Sequence, residues 1–184
     1  VCPPRPPGLV APGEPCVTVP VSGGLPEGVL GEVRIHQQIY AARPSAGAVI
    51  RFMSPSVMAL AALGRPPEMR HGFGTYFAPR VGFWNDIQLV RDDVRAAGVA
   101  AAMGDSTGVL MRGNGAVVCG GSIEEALMRA WYLEDMCRIE LAVVGVPGAP
   151  VIGAQEAAER ATLAGGIVER MWDYLTAGDP ERKS

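Results

Sequence analysis

Glu32 and His36 stand four residues apart in a stretch with helical periodicity. That spacing puts a carboxylate and an imidazole one turn apart on one helix face. With one further carboxylate, a mixed metal site of Glu32 and His36 is conceivable. The only other histidine is His71, and two histidines argue against a catalytic zinc site, which is usually dominated by imidazole. No G-x-S-x-G segment is present and no cysteine adjoins a histidine. Gly72-Phe73-Gly74 lacks the downstream helix that a nucleotide-binding glycine loop requires. The four cysteines (Cys2, Cys16, Cys119, Cys137) show no C-x-x-C spacing, and Cys119 and Cys137 lie in apolar surroundings that suit small buried hydrophobes. By these motifs alone the chain is an α/β domain and nothing more specific.

The elements that must position these residues follow from composition and pattern. The 184 residues suffice for one domain with a real core, and 48% apolar against 19% charged residues excludes a disordered or coiled-coil chain. A net charge of -3, with arginines scattered rather than massed, argues against nucleic-acid binding. No apolar run approaches a bilayer span; the best stretch, residues 141–154, carries Pro147 and Pro150. The first residues lack the apolar core of a signal peptide, so the cytoplasm is the expected location. Eight of the 16 prolines fall in residues 1–26, which predicts an extended arm, followed by a domain over 27–178 and a charged tail over 179–184. Within the domain the pattern predicts helices over 32–42, 55–63, 86–103, 122–141 and 155–175, the last with a weak point at Gly165-Gly166. It predicts strands over 46–53, 107–112 and 116–119, with Gly113-Asn114-Gly115 as a tight turn and an irregular, strand-containing stretch over 68–84. The expected architecture is an α/β domain with more helix than strand.

One constellation says more. Glu32-Val33-Arg34-Ile35-His36, Ile39-Tyr40, Arg43-Pro44 and the run from Ala48 to Pro55 resemble the heart of the class II aldolase/adducin family, E-x-x-x-H, I-Y, R-P and A-V-V-H-x-H-S-P. Leu110-Met111-Arg112-Gly113-Asn114-Gly115-Ala116-Val117-Val118 resembles that family's L-L-R-N-H-G-x-V-V strand pair. Gly121 to Ala126 and Tyr132-Leu133-Glu134 resemble the helix that follows. The resemblance spans about residues 32–145, in order and spacing.

It implies a three-layer αβα sandwich around a central, mainly antiparallel sheet, and a homo-oligomer, usually a tetramer, with sites near subunit interfaces. Family members of the aldolase and epimerase type hold a divalent metal through the two histidines of H-x-H and the histidine of R-N-H-G. The metal stabilises an enediolate, and in the aldolases the leading glutamate is the acid/base. Here those three positions are Arg51, Met53 and Asn114, so the resemblance implies no metal and no cofactor at this site. The segment that cradles substrate phosphate has no counterpart in residues 1–31, which implies an unphosphorylated substrate.

The candidate catalytic residues are therefore Glu32, Arg51 and His36. Arg51 either forms an ion pair with Glu32 or binds a carboxylate, phenolate or enolate oxygen with its planar fork. Glu32 is a candidate general acid or base if burial raises its pKa toward neutrality. His36 either orients Glu32 or takes part in the chemistry. Candidate substrate-binding residues are Asn114, by its amide or as a turn residue tolerant of positive φ; Met53, as an apolar wall; and His71 and Tyr76, in an aromatic stretch that could line the pocket. Residues 66–84 resemble the hydroxyphthalate-type decarboxylase branch of the family, which implies an aromatic acid. The expected function is a metal-independent lyase or isomerase of a small carbonyl or carboxylic acid. The alternatives are a non-catalytic ligand-binding or scaffold protein on an inactivated aldolase fold, and a metalloenzyme with unexpected ligands. The alanine-, glycine- and arginine-rich composition suits a bacterial gene in specialised metabolism.

Overall fold

In the computed structural model, which describes residues 1, 6–11 and 13–179, the strand-like runs form β1 (Ala48–Phe52), β2 (Gly82–Trp84), β3 (Gly108–Met111) and β4 (Gly115–Gly120). They make one sheet in the order β1-β4-β3-β2. β1 and β3 each pair antiparallel with β4, and β2 pairs parallel with β3, so the sheet is mixed with antiparallel pairing dominant. Among the described residues six α-helices accompany it: α1 (Val33–Ala42), α2 (Pro55–Ala62), α3 (Asp93–Met103), α4 (Ile123–Val143), α5 (Ala154–Arg160) and α6 (Ile167–Leu175), with short 3-10 turns at Pro7–Leu9 and Gly72–Phe77.

The alternation of side chains along each strand divides the core in two. Val49, Val109, Met111, Val117 and Cys119 face α1 and α3, meeting Ile35, Ile39, Val99 and Met103. Leu110, Ala116 and Val118 face α2 and α4, meeting Leu60, Phe77, Met128, Leu133 and Met136. The sheet is thus covered on both sides, and the expected αβα sandwich is what the chain forms. Both β3 and β4 are buried throughout, which explains why their sequences read as unbroken apolar runs rather than alternating ones. Cys119 and Cys137 are buried free thiols, as expected, and Cys16 is exposed; Cys2 lies outside the described residues.

Two expectations need correction. The helix expected over 86–103 begins only at Asp93. Asp86 accepts a hydrogen bond from the Gln88 amide (2.9 Å), holding a local turn, and Asp92 takes the extended N-cap conformation and accepts from the Arg95 amide at 2.8 Å. The helix expected over 155–175 is two helices separated by residues 161–166: Ala161 takes an extended conformation that ends α5, and Gly165 and Gly166, with φ angles of 76° and 69°, stand just before the start of α6. The irregular stretch over 68–84 holds the 3-10 turn as well as its strand. Of the proline-rich stretch, residues 2–5 and 12 lie outside the described residues. Its later part rests on α1, where the buried Gln37 donates to the Pro20 carbonyl at 2.7 Å. Of the charged tail, residues 180–184 lie outside the described residues. Among the described residues no helix is long and apolar enough to cross a membrane.

Candidate functional site

Arg51 shares the face of β1 that carries Val49, and so lies on the α1–α3 side of the sheet. One of its terminal nitrogens, Nη2, lies 3.6 Å from the Met53 sulfur and 3.3 Å from the Asn114 carbonyl oxygen. The three positions singled out by the sequence therefore converge on one point. The Arg51 Nε is buried with no partner. Because a guanidinium stays protonated and offers only donors, it leaves a fixed positive charge with an unused hydrogen at that point.

Glu32 closes the same space from the N-cap of α1, without a capping bond of its own. Its ion pair is with Arg91, whose Nε donates to Oε1 at 2.9 Å. The other carboxylate oxygen, Oε2, is buried and unpartnered. Burial pushes the Glu32 pKa up. The Arg91 hydrogen bond, and the charges of Arg91 and Arg51, outweigh it and hold the carboxyl below its ordinary value. The expectation of a pKa raised toward neutrality is corrected accordingly: Glu32 is a carboxylate at neutral pH. It is also not the ion-pair partner of Arg51. Between the two lies a crevice walled by Ile35, Leu89, Val90, Met111 and Asn114, with no room for a water molecule.

Asn114 sits in the hairpin between β3 and β4, but positive φ falls on its neighbours, Gly113 (67°) and Gly115 (81°), and not on Asn114. At Gly115 a side chain is excluded on a second ground, since a Cβ there would stand 2.1 Å from the Phe52 carbonyl oxygen. The Asn114 amide nitrogen lies 3.4 Å and 3.3 Å from the carbonyls of Ile87 and Gln88. It steadies the segment over Glu32 instead of projecting a free donor. Met53 is half exposed at the rim. His36 lines a neighbouring cleft of about 710 Å³ with Gln37, Tyr40, Val49 and Arg51, beneath residues 16–21. Burial, with Arg51 among the cations adding to it, pushes His36 down to about 4, so its imidazole is neutral at pH 7. No hydrogen bond joins it to Glu32. Arg51 borders both the cleft and the crevice.

His71 and Tyr76 lie elsewhere, which corrects the expectation that they line the same pocket. His71 precedes the 3-10 turn and Tyr76 lies within it, on the opposite, α4 side of the sheet. Phe73 stacks on Tyr132 there (centroids 4.2 Å apart, 1° between planes), His71 meets Phe73 edge-on at 5.7 Å, and Tyr76 lies 5.3 Å from Tyr132. The Tyr76 hydroxyl donates to the Thr162 carbonyl at 2.6 Å. Burial lowers the His71 pKa, and its Nε2 has no partner.

The donors at the site do not fit a divalent cation. Guanidinium, thioether and a committed amide stand where the resemblance implies imidazoles. Among the described residues no three His, Cys, Asp or Glu side chains gather into a metal-binding group. Sequence reasoning missed Arg91, which reaches Glu32 across 59 residues of chain with no pattern to announce it. It also missed Glu140, fully buried on α4 and held by Arg65 and Arg70.

With this geometry in view, the comparisons with known proteins are informative. The profile of the Class II Aldolase and Adducin N-terminal domain matches residues 16–141. A 3,4-dihydroxyphthalate decarboxylase of Arthrobacter keyseri is 30% identical over 146 residues, which are 74% of this chain and 56% of that protein. The chain thus spans little more than half the length of that relative. An aldolase II superfamily protein from Pseudomonas syringae superposes with a TM-score of 0.63 at 26% identity, covering 84% of this chain and 63% of the other. An L-fuculose 1-phosphate aldolase superposes with a TM-score of 0.66 at 18% identity, over 85% and 69% of the two chains, which speaks to the fold alone.

Proposed function

Because the chain belongs to the class II aldolase and adducin family, we propose that it is a metal-independent lyase that decarboxylates a small, unphosphorylated aromatic acid. The observation that carries this reading is Arg51. Its guanidinium stands where three site positions converge, beside an ionised Glu32, with one N–H unused. The Arthrobacter keyseri relative, named for a dihydroxylated aromatic diacid, supports the substrate class. The half-exposed Met53 suits the edge of a ring better than a polyol.

The chemistry follows from charge. Loss of CO₂ from a hydroxylated aromatic acid is eased when the ring carbon bearing the carboxylate is protonated first. Glu32, held as a carboxylate, accepts the proton of the ring hydroxyl. It returns that proton to the ring carbon, giving a cyclic dienone. The C–C bond to the carboxylate then breaks, and its electron pair passes into the ring and onto the carbonyl oxygen as a phenolate. Arg51 stabilises that developing oxyanion, in a site where a fixed charge is stronger than in water. His36, neutral and facing the adjoining cleft, is a hydrogen-bonding group for the substrate. The assembly we expect is a homo-oligomer.

The closed crevice between Glu32 and Arg51 favours one rival reading, a ligand-binding protein on an inactivated aldolase fold. The test is release of CO₂ from 3,4-dihydroxyphthalate by the protein after exhaustive chelation. Turnover that survives chelation, and that falls about a hundredfold or more in Arg51→Ala, is the expected result. Activity that vanishes on chelation and returns with Zn²⁺ or Mn²⁺ would overturn metal independence. Substrate binding without turnover would establish the rival.

A further inference from the structure

On the face of the sheet opposite Glu32 and Arg51, an open groove of about 360 Å³ lies between the 3-10 turn, α4 and α6. Its floor is the stacked pair Phe73 and Tyr132. Its sides carry two guanidiniums, Arg160 from the end of α5 and Arg170 from α6, and no acidic residue lines it. Arg160 is an exposed cation with no ion pair or hydrogen bond among the described residues. The absence of a side chain at Gly72 lets it approach, since a Cβ there would stand 2.6 Å from Arg160 Nη2. Arg170 spends one nitrogen on the Gly165 carbonyl.

Tyr132 adds a polar group to the aromatic floor. The residue is only 7% exposed overall, yet it lines the groove, and its hydroxyl, which makes no hydrogen bond among the described residues, is open to that groove. An aromatic floor, a phenol open to the groove and two guanidiniums with no ion pair among the described residues together describe a site for a flat anion.

We infer that this groove is a second ligand site, separate from the Glu32–Arg51 centre, and that it takes a small aromatic carboxylate. The ring lies against Phe73, the carboxylate pairs with Arg160 and Arg170, and the Tyr132 hydroxyl donates to it. The site stands whether or not the chain is a decarboxylase, because none of its residues belongs to the proposed reaction.

The probe is benzoate, titrated by calorimetry into the full chain and its variants, with circular dichroism confirming the fold of each. In Arg51→Ala, which disables the first site, one benzoate should still bind. Adding Arg160→Ala and Arg170→Ala should weaken that binding tenfold or more, the scale of a lost charge-assisted contact. Tyr132→Phe, which leaves the stack in place, should weaken it severalfold, and neutral benzyl alcohol should bind far more weakly than benzoate. Loss of all benzoate binding in Arg51→Ala would overturn the inference. So would affinity unchanged by the paired arginine substitutions, or benzyl alcohol binding as well as benzoate.

Discussion

The cost of protonating His36 is a matter of one residue's surroundings. Buried beside Arg51, the imidazole keeps a folded-state pKa of about 4 against an ordinary 6.5. Between those values the unfolded chain takes up a proton that the folded chain refuses. Stability is therefore complete above about pH 6.5 and falls as the pH drops toward 4, by up to about 3 kcal/mol over the whole window. Urea titrations at pH 7 and pH 4.5 should show this loss in the wild type and a smaller one in His36→Gln; equal losses in both would place the titration elsewhere. The same neighbourhood explains why Glu32 was half legible in the sequence. Its position and its closeness to Arg51 follow from the quoted motif. Its electrostatics do not, because Arg91 arrives from a segment that reads as helix and folds as an irregular cover.

Among the elements, α2 owes its start to a residue 77 to 80 positions away. Glu134 on α4 accepts from the Ser54 hydroxyl (2.6 Å) and from the amides of Ser56 and Val57 (both 3.0 Å), while Ser54 makes no capping bond with its own hydroxyl. Burial raises the Glu134 pKa, but these hydrogen bonds hold it below its ordinary value. Glu134→Ala should cost about 2 kcal/mol, because two orphan amides at a helix start lose a charged acceptor. Glu134→Gln should recover part of that in a thermal melt. A melt unchanged by Glu134→Ala would mean that water replaces the carboxylate at no cost. Local signals located α2 and α4 well, since Pro55 opens one and Ser122 caps the other, accepting from the Glu125 amide. They failed where an element ends against a tertiary partner or a turn: the start of α3, and the break between α5 and α6.

At the scale of the molecule, the sheet separates two chemistries. The α1–α3 face holds an arginine and a carboxylate in a tight apolar crevice; the α4–α6 face holds arginines over stacked rings. The αβα layering was legible because apolar periodicity and the quoted motif agreed on it. The grouping of site residues was only partly so, since sequence proximity to an aromatic stretch says nothing about which side of a sheet it lands on. The structure brings Glu32, Arg51, Met53 and Asn114 together and places His71 and Tyr76 on the other side of the sheet.

The pairing order of the strands also bears on how the chain reaches this state. β3 and β4 are joined by three residues, whereas β1 must find residues 116–120 and β2 must find residues 109–111 across long intervening segments. The hairpin is the only pairing that forms without closing a long loop, so it is the natural nucleus, with the outer strands added later. Val109→Ala, within the hairpin, should mainly slow refolding in stopped-flow measurements. Ile50→Ala, on β1, should mainly accelerate unfolding; the reverse partition would put the nucleus elsewhere. The turn at the tip of that hairpin is Gly113-Asn114-Gly115. The residues that bring the site's two halves together are then among the first to adopt their final geometry, and the rest of the chain folds onto a site already begun.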